Sequence, residues 1–163
     1  MIPVSLFSLT NLETLDLSSN VFSGGFPVSI NLPALKVLDL SVNSFLDSIP
    51  AGICVNSTGI RVLKLAAGSL IGSIPIELRN CAFLEHICVA SNSLSGAIPE
   101  FLFHLPRLME LDLQDNLFTS IAGIGNSSSP ITRLDISSNR LSGDLPDFFH
   151  KLTRLTQFLG PFE

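Results

Sequence analysis

Residues 15–27 read LDLSSNVFSGGFP, and residues 134–146 read LDISSNRLSGDLP. The two stretches lie at opposite ends of the chain and share one frame. Apolar residues alternate with polar ones, an Asn follows, an apolar plug comes two residues later, and Ser-Gly and Pro close the phrase. Carrying the frame L-x-x-L-x-L-x-x-N along the chain recovers six copies. Their anchors are Leu12, Leu15, Leu17 with Asn20; Leu35, Leu38, Leu40 with Asn43; and Ile60, Leu63, Leu65 with Gly68 where Asn belongs. The remaining three are Leu84, Ile87, Val89 with Asn92; Leu108, Leu111, Leu113 with Asn116; and Ile131, Leu134, Ile136 with Asn139. Successive rung positions are separated by 23, 25, 24, 24 and 23 residues. Chance matches do not hold phase over six units.

Each L-x-L triplet alternates with period two, so it predicts a short strand whose apolar residues share a face. One unit of this size cannot bury that face alone. Stacked neighbours can, and the stack makes a continuous core and a parallel sheet. The chain must then turn inward, where backbone N–H and C=O groups need partners. An Asn amide donates and accepts at once, so Asn20, Asn43, Asn92, Asn116 and Asn139 are predicted to form a ladder, with loosening at the Gly68 gap. Phe22, Phe45, Leu70, Leu94, Phe118 and Leu141, two residues past each rung, are predicted to plug the core. Gly24, Gly72, Gly96 and Gly143 suit an unusual φ. Pro27, Pro50, Pro75, Pro99 and Pro146 suit the first position of short helical turns. The fifth unit has Ser120 for Gly, Ala122-Gly123 for I-P and then GNSSSP (125–130), which predicts a looser return segment.

The bulk composition narrows the function. The chain has 163 residues, 46% hydrophobic and 14% charged, which suits one domain with a real core. Its net charge is −5 with no run of Lys or Arg, which argues against nucleic acid or an anionic lipid surface as partner. Mean hydropathy is +0.49. Even so, the longest uncharged stretch, Leu17 to Leu35, contains Asn20, Pro27, Asn31 and Pro33, so no membrane span is expected. The opening MIPVSLFSLTNLE has neither a basic start nor a small-residue cleavage site and does not read as a signal peptide.

The unit L-x-x-L-x-L-x-x-N-x-L/F-S-G-x-I-P resembles the plant-specific leucine-rich repeat class. The stretches 8–24, 30–45, 77–100 and 131–149 further resemble the N-terminal half of phytosulfokine-receptor-type receptor-like kinase ectodomains. The resemblance implies an α/β repeat fold: a right-handed leucine-rich repeat solenoid with a parallel concave sheet and short helical or irregular convex segments. Residues 1–163 then form a single domain of about six full repeats plus incomplete terminal ones, uncapped. Leu155, Phe158 and Gly160 begin a seventh strand that stops. The implied role is recognition of a peptide or protein ligand on the extracellular side of the plasma membrane, as part of a longer parent that pairs with a co-receptor kinase. A cofactor is not implied. The alternative is a structural remnant with no ligand of its own.

A solenoid binds through the x positions of its strands. The central x column runs Asp16, Asp39, Lys64, Cys88, Asp112, Asp135, and the column before it runs Thr14, Val37, Val62, His86, Glu110, Arg133. Four Asp read as scaffold. Lys64 and Cys88 break the column side by side, so Lys64, His86, Cys88 and Glu110 form the candidate recognition patch; neutral surface variation is the competing reading. His86 and Cys88 alone do not make a four-ligand zinc site. Nor does a nucleophile–base–orienter set appear, so no catalytic residue is assigned. His104 and His150 fall on convex segments. Of the three cysteines, Cys81 reads by default as a buried inert thiol. A Cys54–Cys81 bridge requires Cα atoms within about 7 Å and is left open, while an odd count leaves one thiol free. Asn56-Ser57-Thr58 and Asn126-Ser127-Ser128 are candidate N-glycosylation sequons on convex loops.

Overall fold

The computed structural model describes residues 2–26, 30–123, 128–145 and 147–161. The alternating triplets become strands, and a second short strand follows most of them. In chain order they are β1 (Thr14–Asp16), β2 (Ser23–Gly24), β3 (Val37–Asp39), β4 (Ser44–Phe45), β5 (Val62–Lys64), β6 (Ile71–Gly72), β7 (His86–Cys88), β8 (Ser93–Ile98), β9 (Glu110–Asp112), β10 (Leu117–Ile121), β11 (Arg133–Asp135) and β12 (Gln157–Leu159). One strand from each repeat enters a seven-stranded sheet in the order β1-β3-β5-β7-β9-β11-β12. Every pairing in it is parallel, and the register aligns Leu15, Leu38, Leu63, Ile87, Leu111 and Leu134 as successive partners.

That row is buried along its whole length. The row before it (Leu35, Ile60, Leu84, Leu108, Ile131) and the row after it (Leu40, Leu65, Val89, Leu113, Ile136) are buried as well. Burying a side chain of this size contributes about 1.5–3 kcal/mol, and the rows of successive repeats join in one continuous core. The plug column behaves as expected: Phe45, Leu70, Leu94 and Phe118 are buried, while Phe22 and Leu141 near the ends are half-buried. The seventh strand does not stop short, as the sequence suggested. β12 completes three paired residues against β11, with Phe158 beside Leu134, though Phe158 stays 37% exposed.

The turns explain the rungs. The residue before every rung, from Ser19 through Val42, Ala67, Ser91 and Asp115 to Ser138, takes a left-handed φ between 51 and 56°. This conformation folds the chain inward and aims three carbonyls at one point. The Asn43 amide donates to Leu17, Leu40 and Ser41 carbonyls at 2.9, 3.0 and 3.3 Å, and its oxygen accepts the Phe22 N–H at 3.0 Å. Asn92, Asn116 and Asn139 repeat the pattern, each reaching one repeat back. Among the described residues, Asn20 makes only the two local side-chain bonds, to Leu17 and Ser18 carbonyls.

At Gly68 the rung is missing, so Phe45 has no side-chain acceptor of the kind that serves Phe22, Leu70, Leu94 and Phe118. A Cβ at Gly68 would lie 2.9 Å from the Asn92 Oδ1. The second layer of strands breaks at the same place. β2 pairs with β4, and β6, β8 and β10 form a separate three-stranded sheet. A second sequence departure contributes here. Gly24, Gly72, Gly96 and Gly143 have φ of 81 to 90°, whereas Asp47 and Ser120 occupy the equivalent position without a positive φ. At Ser120 the result is a register shift between β10 and β8. The fifth return segment is therefore paired through Ile121 instead of loose from its start, and residues 124–127 lie outside the described residues.

Two further expectations need correction. Pro75 and Pro99 sit at the N-cap, one residue before the 3-10 turns Ile76–Asn80 and Glu100–His104. Their carbonyls close those turns by accepting the Leu78 and Leu102 N–H groups at 3.1 and 3.3 Å. Pro3 does the same before Val4–Ser8, and Pro27 and Pro146 lie outside the described residues. Cys81 is not an inert thiol. It is bonded to Cys54 across a sequence separation of 27, with Cα atoms 5.4 Å apart, and both residues are buried. The bridge spans the third repeat, the one that lacks its rung. No helix among the described residues is long and apolar enough to cross a membrane.

Candidate recognition site on the concave sheet

The outward face of the seven-stranded sheet carries two columns of side chains, and the regular members of the central column are self-satisfied. Asp16, Asp39, Asp112 and Asp135 each turn a carboxylate oxygen back to accept the N–H two residues on, at Ser18, Ser41, Gln114 and Ser137, over 2.9 to 3.2 Å. This caps the end of each strand and holds the carboxylates close to their own backbone. The Ser18 hydroxyl and N–H together hold the Asp16 carboxyl below its ordinary range. These Asp are scaffold.

Lys64 on β5 offers no such cap, whereas on β7 the Cys88 sulfur stands in for the carboxylate and faces the Ala90 N–H two residues on. The Ala66 N–H is taken over by the Ser41 hydroxyl of the preceding repeat, at 3.2 Å. Lys64 is thereby free to extend, with its Nζ 3.8 Å from Asp39 Oδ2. On β7 the His86 Nδ1 lies 3.3 Å from Glu110 Oε2 on β9, and the Cys88 thiol donates to Asp112 Oδ2 at 3.6 Å. Lys64, His86, Cys88 and Glu110 all line one pocket of about 420 Å³, together with Val62, Asp112 and Arg133. The structure thus brings together the four residues singled out from sequence. Asp112 and Arg133 were not singled out, although the register places them directly beside Cys88 and Glu110. Strand pairing was the signal that could have found them.

Partial burial pushes the Cys88 thiol above its ordinary value; the Ala90 N–H opposes the rise, the negative Asp112 adds to it, and Lys64 opposes it more weakly. A half-buried thiol whose ionisation is pushed up in this way is a poor nucleophile and a poor metal ligand. Among the described residues, no group of three or more His, Cys, Asp or Glu is placed to hold a metal ion. What remains is a shallow pocket with a cation, a His–carboxylate pair, a second carboxylate and a second cation set on rigid strands.

The other singled-out residues lie away from this face. His104 pairs with Glu100 at 3.1 Å on the turn Glu100–His104, and the His150 ring contacts the Asp147 carbonyl. Asn56 is exposed in the turn before β5, next to Ser57, whose buried hydroxyl accepts the Leu32 N–H at 3.3 Å. Asn126 lies outside the described residues.

Residues 11–32, 34–56 and 130–152 match the Leucine Rich Repeat family. Phytosulfokine receptor 1 of Arabidopsis thaliana is 51% identical over 107 residues, which is 66% of this chain and 11% of that protein. The plant peptide hormone receptor RGFR1, in complex with RGF2, superposes with a TM-score of 0.86 at 28% identity, over 98% of this chain and 26% of that one. The ectodomain of the Arabidopsis receptor kinase HAESA, in complex with an N-terminally extended IDA peptide hormone, gives 0.83 at 31%, over 99% and 28%. The chain therefore spans about a ninth of the length of the first relative and little more than a quarter of the two solved ectodomains.

Proposed function

We propose that this chain, a leucine-rich repeat protein with the solenoid fold of plant receptor ectodomains, is a non-enzymatic recognition module. It serves within the ectodomain of a plant cell-surface receptor-like kinase or receptor-like protein. Its concave sheet receives a peptide or protein ligand, and a longer parent pairs with a co-receptor kinase. The observation that carries this reading is the paired break in the Asp column. At Lys64 and Cys88 the self-capping carboxylates are replaced, and both residues line the 420 Å³ pocket. The buried Cys54–Cys81 disulfide supports an oxidising, extracellular setting, and exposed Asn56 offers a glycan acceptor off the binding face.

The test is a titration of the immobilised chain with synthetic secreted plant peptides, alone and with a co-receptor kinase ectodomain. Saturable binding is expected, weakened at least about tenfold in the Lys64→Ala/Glu110→Ala double variant. Binding left unchanged by the double variant would remove the site, and no saturable binding at all would leave only a structural repeat.

A further inference from the structure

The flank of the sheet, where each return segment enters its strand, changes character along the stack. In the first four repeats the residue after the leading apolar anchor closes into ion pairs with its neighbour, Lys36 with Glu13 at 2.8 Å and Arg61 with Glu85 at 3.1 Å. The next three residues of that column are Met109, Thr132 and Thr156, and the pairing ends. Both threonine hydroxyls are used inside the protein, donating to the Met109 and Thr132 carbonyls.

The column beside it runs Phe83, Arg107, Pro130, Arg154, one residue per repeat. The Arg107 guanidinium lies 4.8 Å from the centre of the Phe83 ring, a contact that restrains its planar donor fork. Arg107 and Arg154 are exposed, and among the described residues neither makes an ion pair. Pro106, Met109 and Pro130 line the same groove, of about 290 Å³, and Met109 is 40% exposed. The groove shares no residue with the concave pocket.

Two uncommitted guanidiniums either side of an apolar saddle select a carboxylate for each and an apolar group between. The chain carries a net charge of −5, so a uniformly acidic occupant is repelled elsewhere and its acids must be confined to these two points. Backbone bonds join the flank from repeat to repeat, Thr132 to Met109 and Thr156 to Thr132, which sets a spacing of about 4.8 Å. Arg107 and Arg154, two repeats apart, are then separated by about 10 Å. An extended segment repeats the same face every about 6.6 Å and then about 13 Å, and matches neither arginine pair nor saddle. A helix returns to the same face at i+7, about 10.5 Å along its axis, with i+3 and i+4 between.

We infer that this flank docks an α-helix of a partner protein that carries acids at i and i+7 and apolar residues at i+3 and i+4. The helix lies along the stack, one carboxylate on Arg107, the other on Arg154, with its apolar pair over Met109 and Pro130. The inference concerns a second surface and does not rest on the recognition reading of the concave pocket.

The probe is a fluorescein-labelled Ala/Gln peptide of about fifteen residues with Glu at i and i+7 and Leu at i+3 and i+4, held helical by a side-chain staple on the opposite face. It is titrated by anisotropy at low ionic strength. One control is a stapled peptide of the same composition with the second Glu at i+5, on the far side of the helix; the other is unstapled, with a proline in place of one alanine between the acids. The probe is expected to bind saturably and at least about fivefold more tightly than either control. Arg107→Ala and Arg154→Ala should each weaken it by about threefold, as removal of one exposed ion pair does, and added salt should shrink those differences by screening. Lys36→Ala, which removes a flank cation already paired with Glu13, should change nothing. No saturable binding by the probe overturns the inference, and so does equal binding of the three peptides, which would mean that the flank reads charge alone. Weakening by Lys64→Ala with none by Arg107→Ala would place the peptide in the concave pocket and overturn it as well.

Discussion

Asn116 uses its whole amide inside the protein. Its two N–H groups are shared among Val89, Leu113 and Gln114 carbonyls, and its oxygen takes the Leu94 N–H. Truncation leaves buried backbone groups unpaired at about 1–3 kcal/mol each, so Asn116→Ala should lower stability by about 2–4 kcal/mol in urea denaturation. Asn20→Ala, with two exposed local bonds, should cost less than about 1 kcal/mol; equal losses would mean that the ladder is not what holds the turns. Val42 is a β-branched residue at φ 56°, a conformation that strains it. Val42→Gly should therefore raise stability by about 1 kcal/mol, read as a shift of the urea midpoint. Cys88 gives the pH dependence. The unfolded chain ionises this thiol at the ordinary value and the folded chain only above it. Stability contributed here is flat below the ordinary value and falls as pH rises through the interval above it. Comparing wild type with Cys88→Ala from neutral to alkaline pH should show that slope in the wild type alone. The rungs were legible in the sequence because phase fixes their place, and the Lys64/Cys88 break was legible because it interrupts a column. Arg133 was not picked out, because it interrupts no column and only the strand pairing sets it beside Glu110.

The elements divide by how strictly their geometry follows from the repeat. The seven strands of the concave sheet obey register, and all six predicted triplets pair as expected. The return segments vary in length and path, and there the reading from sequence gave out. Cys54 and Cys81 lie on two different return segments, so no spacing rule sets their separation, and only the fold brings their Cα atoms to 5.4 Å. Its position is informative. It encloses the third repeat, where Gly68 leaves a gap in the ladder and the second layer of strands breaks between β4 and β6. A cross-link over 27 residues contributes about 3–4 kcal/mol by restricting the unfolded chain. The Cys54→Ser/Cys81→Ser double variant should lose about that much, with amide exchange rising first around residues 44–72. Exchange that rises evenly along the chain would show that the bridge does not serve the weak repeat in particular.

Across the whole molecule the stack behaves as a row of neighbours. Each repeat buries its apolar rows against the next, hydrogen-bonds one repeat back through its Asn, and presents its outward columns on a face held rigid by both. The pocket belongs to that scale, since Lys64, His86, Glu110 and Arg133 come from four successive strands and no single repeat could assemble them. Hydrogen–deuterium exchange of Leu111→Ala tests this dependence most directly. Removing a buried leucine from the middle of the row costs about 2–5 kcal/mol and strips cover from both sides. Protection is expected to fall on β9 and also on β7 and β11, including the strands that carry His86 and Arg133. A loss confined to residues 108–116, with β7 and β11 exchanging at wild-type rates, would contradict mutual burial as the source of the fold and of its binding face.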